Sequence, residues 1–303
     1  MIRRAAPPEV WRASGFVTQA PPAAQARRSG LRRWGLLGAV LGALGGVLAF
    51  APAAWLAAAT ARGSEQRLLL AEARGTVWSG SAVPVLTGGA GSRSAAVLPG
   101  RLHWRLGWHA GALELRLRQA CCLNDAPRLR LTPGLQRQQL ELLADVDLTA
   151  APAPATGAPP PVVGQWPADW LAGLGTPWNT VQLDGLLRLA TPGLRFERDR
   201  GQWRIAGSAV LDGIDIASRL STLPTLGSYR IRLDGAGPDA DGVRLVLGTT
   251  AGALRLRANG GWTGDGLRLR GEAEAAPGAE SALDNLLNLI GRRQGARSLI
   301  AIG

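Results

Sequence analysis

Apolar and polar residues alternate with period two along nearly every segment after residue 100. Leu102, Trp104, Leu106 and Trp108, for example, are separated by single residues that include His103. The same period returns at Leu113/Leu115/Leu117, Leu129/Leu131, Val181/Leu183, Leu187/Leu189, Tyr229/Ile231/Leu233, Val243/Leu245/Leu247, Leu254/Leu256 and Leu267/Leu269. Strict alternation is typical of antiparallel strands with one buried and one solvated face. The chain therefore predicts an all-β body, either an antiparallel curved sheet or a sandwich.

Breaks in this pattern divide the body into two β segments. A Pro/Ala-rich stretch interrupts the alternation and predicts a linker or long loop over 150–165, between β segments at 62–149 and 166–303. Trp55-Leu56-Ala57 in the chain before the first segment recurs as Trp170-Leu171-Ala172 in the second. This echo favours a weak duplication, although Leu/Arg-rich strands also resemble one another by chance.

One short helix is expected near the C-terminus of the body. Leu283, Leu286, Leu287 and Ile290 follow the i, i+3, i+4, i+7 spacing of a helical face. The spacing predicts an amphipathic helix over 280–291 that covers one end of the sheet, followed by a final strand over 299–302.

A long uncharged run precedes the body. No charged residue occurs from Trp34 to Ala61, a stretch of 28 residues, or about 42 Å as a helix. A bilayer core of roughly 30 Å needs about 20 residues. A cleavable signal peptide is the alternative, but its apolar region is only about 7 to 15 residues long. We therefore predict a transmembrane helix over 34–61.

Charge asymmetry predicts the orientation of this helix. Residues 1–33 contain seven arginines and one acidic residue, Glu9. The positive-inside rule places this tail, expected to be disordered, in the cytoplasm and the body in the periplasm of a bacterial inner membrane. Gly38, Gly42 and Gly46 lie on one helix face and form a candidate helix-packing surface that could support a homo-oligomer. Glycine abundance in membrane helices explains the same spacing equally well.

The positive net charge is compatible with nucleic-acid binding, but the distribution of the basic residues argues against it. The formal charge is +12, yet the chain contains no lysine. Its arginines are spread through the strands at alternating positions, whereas nucleic-acid-binding proteins cluster basic and aromatic residues. We expect no nucleic-acid partner.

Few residues are candidates for catalysis or for cofactor or metal binding. His103 and His109 are the only histidines, and Gly107 is expected to interrupt the strand between them. No third metal ligand, phosphate loop or nucleophile elbow is evident. The adjacent Cys121 and Cys122 fit a vicinal disulfide, a bridge to another chain or two free thiols. We expect no enzyme activity, no cofactor and no metal.

Several motifs carry a resemblance to a known family. They are the Gly-Thr-Val-Trp-Ser-Gly-Ser-Ala segment at 75–82, Leu-His-Trp-Arg-Leu at 102–106, Leu-Gly-Ser-Tyr-Arg at 226–230, Gly-Ala-Leu at 252–254 followed by Gly-Trp at 261–262, and the closing stretches 286–295 and 300–303. In this order and spacing the chain resembles type II secretion system protein N, the general secretion pathway protein N family, from the anchor to the last residue.

The resemblance implies an accessory, non-enzymatic component of the machine that exports folded proteins from the periplasm. Its implied partners are other components of the inner-membrane platform or the secretin, together with the lipid bilayer. The β pattern is also similar to bridge-like lipid-transfer proteins of the AsmA type. That similarity implies the alternative of a periplasmic lipid-binding protein.

Overall fold

The computed structural model describes residues 25–124, 127–132, 134, 137–143, 159–199, 202–235, 242–263 and 266–302 of the 303-residue chain. The chain divides into two units, residues 1–50 and residues 51–303. In the first unit the structure describes one helix, α1 (Gln25–Ala49). The tail predicted to be disordered over 1–33 is therefore helical from Gln25 onward, and its first 24 residues lie outside the described residues.

The prediction of one helix over 34–61 is wrong, because the uncharged run forms two helices. α1 ends at Ala49, and α2 (Ala53–Gly63) begins after Pro52, whose backbone is extended at φ −68° and ψ 147°. Proline has no amide hydrogen to donate, and it disfavours helical backbone in the residue before it. No helix in the described part of the chain is both long and apolar enough to cross a membrane.

In its described residues the second unit is built on one antiparallel sheet of 16 strands, which confirms the predicted β class. The strands are β1 (Leu68–Gly75), β2 (Ser79–Thr87), β3 (Ala95–Val97), β4 (Leu102–His109), β5 (Ala112–Arg118), β6 (Arg128–Thr132), β7 (Arg137–Leu143), β8 (Val162–Pro167), β9 (Leu183–Asp199), β10 (Gln202–Ser218), β11 (Gly227–Gly235), β12 (Val243–Gly252), β13 (Leu254–Thr263), β14 (Gly266–Ala275), β15 (Arg292–Gln294) and β16 (Arg297–Ile302). The helices of this unit are α2, a 3-10 helix over Ala168–Leu174, α3 (Trp178–Val181) and α4 (Glu280–Ile290).

Strand order in the sheet follows the chain closely. The order is β1-β2-β4-β5-β6-β7-β9-β10-β11-β12-β13-β14-β16-β15, with β3 paired to β2 and β8 paired to β9. The two β segments predicted from the sequence form one sheet, because β7 pairs directly with β9. The predicted linker boundary at 165 is also wrong, since the β-branched Val162 and Val163 begin a strand. Residues 150–158 of that linker lie outside the described residues.

The predicted echo between the two segments has a structural counterpart. Pro52 and Pro167 precede the two Trp-Leu-Ala motifs with closely similar extended backbone. Each proline is followed by a fully buried alanine, Ala53 or Ala168, at the start of α2 or the 3-10 helix. Duplication of a whole segment stays a prediction.

The strand connections define two ends of the sheet. Hairpins join β4 to β5, β6 to β7, β9 to β10, β11 to β12 and β13 to β14 at one end, which we call the hairpin end. The opposite end, the helix end, carries the β14–β16 connection with α4. The predicted helix over 280–291 is confirmed as α4, and the predicted final strand as part of β16.

Helices cover the apolar face of the sheet at the helix end. Leu283, Leu286 and Leu287 of α4 are fully buried in a cluster with Leu254. Burial raises the pKa of Tyr229 in the same cluster, and its hydroxyl donates a hydrogen bond to the Leu254 carbonyl oxygen at 3.2 Å. A second cluster forms where Ala53 and Leu56 of α2 meet Ala82, Leu70 and Trp104 of the sheet.

The opposite face of the sheet is polar, and one carboxylate ties three of its strands together. Asp212 of β10 lies opposite Arg188 of β9 and Arg230 of β11. Arg230 Nε donates to Asp212 Oδ1 at 2.6 Å, and Arg188 Nη2 donates to Oδ2 at 2.9 Å. These bonds, led by the one from Arg230, lower the pKa of Asp212 below its usual value, although burial opposes the shift.

Leu286→Asp in α4 should destabilise the sheet unit by about 3–5 kcal/mol, because it removes a buried side chain and buries an unpaired charge. Leu289→Asp in the same helix is the matched control, since Leu289 is 51% exposed; its effect should stay within about 0.5 kcal/mol. Chemical denaturation followed by circular dichroism measures both. Equal losses in the two variants would contradict the packing of α4.

Asp212→Asn should cost about 1–3 kcal/mol at neutral pH, the usual contribution of hydrogen bonds to a charged group. Because the pKa of Asp212 is lower in the folded protein, its contribution is present above pH 3.8, the ordinary value, and is lost as the pH falls through the folded value. The variant should therefore lose less stability than wild type on acidification. Asp234→Asn, at an exposed carboxylate, is the control, and its free energy of unfolding should fall on acidification as that of wild type does.

Candidate binding surface on the apolar face

A row of six apolar side chains crosses the apolar face near the hairpin end. Strand register places the six residues directly opposite one another in successive pairs. We call this row the open strip; from β4 to β10 it consists of Trp108, Leu113, Leu131, Leu140, Phe196 and Ile205. Five strand spacings make it about 24 Å long.

The open strip is not covered by the helices that pack on the apolar face toward the helix end. None of its six residues belongs to either hydrophobic cluster formed by the described residues. Trp108 is 66% exposed and Leu131 is 39% exposed. Leu113, Leu140, Phe196 and Ile205 are half-buried.

A second apolar row runs beside the strip toward the helix end. It pairs Leu106 with Leu115, Leu115 with Leu129, Leu129 with Leu142, and Leu142 with Leu194. Leu115 already packs against the α2 cluster, so this row marks where coverage ends. Large contiguous apolar patches on protein surfaces mark sites of interaction. The open strip can therefore take an apolar protein surface or acyl chains.

The two histidines lie on the polar face and do not converge. β4 runs from Leu102 to His109 without a break, so the predicted interruption at Gly107 is wrong. His103 and His109 are both exposed, but six residues along a strand separate them by roughly 20 Å. Among the described residues no group of three or more His, Cys, Asp or Glu side chains could hold a metal ion.

Of the alternatives left open for Cys121 and Cys122, the structure has the vicinal disulfide. The connection that carries it, between β5 and β6, is fastened to β8. Gln165 N donates to the Cys122 carbonyl oxygen at 2.7 Å, and Asn124 N donates to the Val163 carbonyl oxygen at 3.0 Å. A Cβ at Gly164 would lie 2.4 Å from the Cys122 carbonyl oxygen. This close approach requires glycine at position 164.

Gly38, Gly42 and Gly46 lie at four-residue intervals in α1, as the sequence predicts. A Cβ on any of the three would meet no other atom within 4 Å. Their use as a helix-packing face stays a prediction.

Sequence reasoning missed the open strip as a site. The alternation identifies the apolar face, but Leu113 and Leu131 have the same pattern as covered leucines such as Leu254. Which leucines are covered depends on where α2 and α4 pack on the sheet, and no local sequence pattern predicts that position. Trp108, close to the β4–β5 turn, is a signal in the sequence, because tryptophan is enriched at interfaces.

In its described residues the second unit is a long antiparallel sheet with one polar face and one partly covered apolar face. Residues 66–299 match the family model described as type II secretion system (T2SS), protein N. The chain belongs to the T2SS protein N family. No curated protein and no solved structure matches it significantly.

The family match begins after α2 and ends within β16, so it coincides with the sheet. Membership supports an accessory role in type II secretion and implies association with other components of that system. It is also consistent with a membrane-associated protein.

Gly164→Ala should destabilise the protein by about 1–3 kcal/mol, because the new methyl group would overlap the Cys122 carbonyl oxygen and push β8 from the sheet. Gly248→Ala in β12 is the matched control, since a Cβ there meets nothing within 4 Å. It should be neutral or slightly stabilising. Thermal unfolding compares the two, and hydrogen exchange at Val162–Pro167 should rise only in the first variant. Equal behaviour would contradict the docking of β8.

Proposed function

We propose that this protein is a non-enzymatic scaffold of the type II secretion system, and that the open strip is the surface by which it holds a partner component. The family match over residues 66–299 carries the proposal. The uncovered apolar row supports a docking role, because apolar side chains left in water favour association. In this role the protein aids export of folded proteins from the periplasm.

The proposal places the sheet unit in the periplasm and residues 1–33 in the cytoplasm, with the chain held at the inner membrane by α1. Its support is the seven arginines before Trp34 and the uncharged run after it. The large apolar side chains of α1 from Trp34 to Leu48 are also all more than half exposed within their own unit. Such a helix needs an apolar environment, which a bilayer or a partner helix supplies.

Gly38, Gly42 and Gly46 are proposed as the face on which α1 packs against another helix. Replacing all three by leucine should weaken that association by roughly 1–2 kcal/mol, because bulky side chains keep two helix backbones apart. Crosslinking in native membranes through a cysteine introduced at Ala39 measures it. Replacing Leu37, Leu41 and Leu44 by alanine is the control. Unchanged crosslinking in the leucine variant would refute the packing face.

Secretion tests the scaffold directly. In a strain lacking the chromosomal copy, Trp108→Ser/Leu131→Ser should reduce export of a secreted enzyme at least about fivefold, since about 1 kcal/mol of lost docking energy is enough. Trp178→Ser/Leu289→Ser is the matched control, because it removes one exposed tryptophan and one exposed leucine away from the strip. His103→Ala, His109→Ala and Cys121→Ser/Cys122→Ser should each leave export unchanged. Loss of export from a folded histidine variant would refute the non-catalytic role.

A second candidate function, periplasmic lipid binding, is favoured by the same strip because its two leucine-rich rows could line acyl chains. A photo-crosslinking residue at position 131, compared with one at position 289, separates the two occupants. A protein adduct supports docking, whereas a phospholipid adduct at position 131 supports lipid binding. Crosslinking at neither position above background would refute both.

A further inference from the structure

Positive and negative charges on the polar face balance one another along some rows of side chains and not along others. Across β5, β6, β7 and β9, one row places Glu114, Arg130, Glu141 and Arg195 successively opposite one another, so the sign of charge alternates. Arg195 contacts Glu141 at 2.6 Å. Farther along the sheet, Asp212 forms ion pairs with the arginines on both sides of it.

The neighbouring row departs from this pattern. Arg105 of β4 lies directly opposite Arg116 of β5, and Arg116 lies directly opposite Arg128 of β6. Arg118, two residues from Arg116 on the same face, lies opposite His103. We call Arg105, Arg116, Arg118 and Arg128 the arginine cluster.

Two members of the cluster carry uncompensated charge. Arg116 Nε donates to Glu114 Oε1 at 2.6 Å. Arg105 and Arg118 are exposed, and neither forms an ion pair with any residue that the structure describes.

Like charges directly opposite one another on adjacent strands destabilise a sheet. Side chains that lower the stability of the fold and have no compensating contact are expected at functional sites. Arg105 and Arg118 are therefore better explained by a ligand that supplies negative charge to them than by the stability of the sheet.

We propose that the arginine cluster binds an acidic segment of a partner protein, an inference that rests on the proposed function in secretion. Guanidinium groups bind carboxylates through two parallel hydrogen bonds. Arg105 and Arg118 are diagonal neighbours on adjacent strands, roughly 7–8 Å apart, and side chains on one face of an extended peptide repeat about every 7 Å. Two carboxylates of an extended segment match that spacing.

A protein partner fits better than a membrane surface. The tryptophans and leucines of β4, β5 and β6 share the opposite face, because they alternate with the arginines. Among the described residues, the large apolar side chain directly opposite the cluster on its own face is Leu143 of β7, which is half-buried, whereas amphipathic membrane-surface elements combine basic residues with a broad exposed apolar face. Family membership also implies protein partners.

Binding is tested with the full-length protein purified in detergent. The probe is a short fluorescein-labelled peptide of alternating glutamate and threonine, with a glutamine-for-glutamate peptide as its control, and fluorescence anisotropy is the readout. The acidic peptide should bind and should weaken with added salt. Arg105→Gln/Arg118→Gln should reduce its affinity about tenfold, since two ion pairs are lost.

The matched control is Arg255→Gln/Arg297→Gln, which removes the same charge from arginines already paired with Glu274 and Glu272. It should bind the peptide as wild type does. The melting temperature of Arg105→Gln/Arg118→Gln should be unchanged or higher, because a repulsion is relieved.

Three results would overturn the proposal: an equal loss of affinity in both double variants, a lower melting temperature in the Arg105/Arg118 variant, or cluster-dependent binding of phosphatidylglycerol in mixed detergent micelles in place of the peptide. Failure here would not touch the secretion role. That role stands or falls with rescue of export by the wild-type protein and its loss in the open-strip variant.

Discussion

The antiparallel register is the constraint on which the rest of this structure depends. From β4 to β14 each strand meets its neighbour so that apolar residues face apolar residues, as Trp108 faces Leu113 and Leu131 faces Leu140. A shift of one residue in any pair would move every leucine of that strand to the polar face. The bulge in the β9–β10 pairing between Ser208 and Val210 corrects the register within one hairpin and keeps Asp212 beside Arg188.

Coverage of the apolar face divides the sheet into a part packed against helices and a part that carries the open strip. At the helix end, α2 and α4 supply the second layer that a sheet needs for a core. At the hairpin end the same leucine pattern continues, and no helix of the described residues forms such a layer there. The 17-residue strands β9 and β10 run through both parts, so the open strip is an extension of strands anchored in the core.

The sequence predicts the strands and α4 well, because their signals are local. The alternation of Leu113, Leu115 and Leu117 indicates a strand without any knowledge of the fold. Pro52 indicates the break between α1 and α2, although the uncharged run on both sides of it resembles one continuous helix. Contacts between strands are harder to predict, because they join residues that are distant in the sequence. Asp212 lies 24 residues from Arg188 and 18 from Arg230, and only the register brings them together. The open strip is harder still, because coverage is decided by helices distant in sequence.

The two margins of the sheet have a consequence for how copies of this protein can assemble. β1 contains an irregularity between Ala71 and Arg74, with Glu72 at φ 49°, and β15 has three residues, two of them arginines. Short, charged or bulged margins discourage strand addition by a neighbouring molecule. The protein is therefore protected against growing into a fibril by margin-to-margin pairing, even though its strands are rich in leucine. This leaves the two broad faces of the sheet as the surfaces open to contact with other molecules.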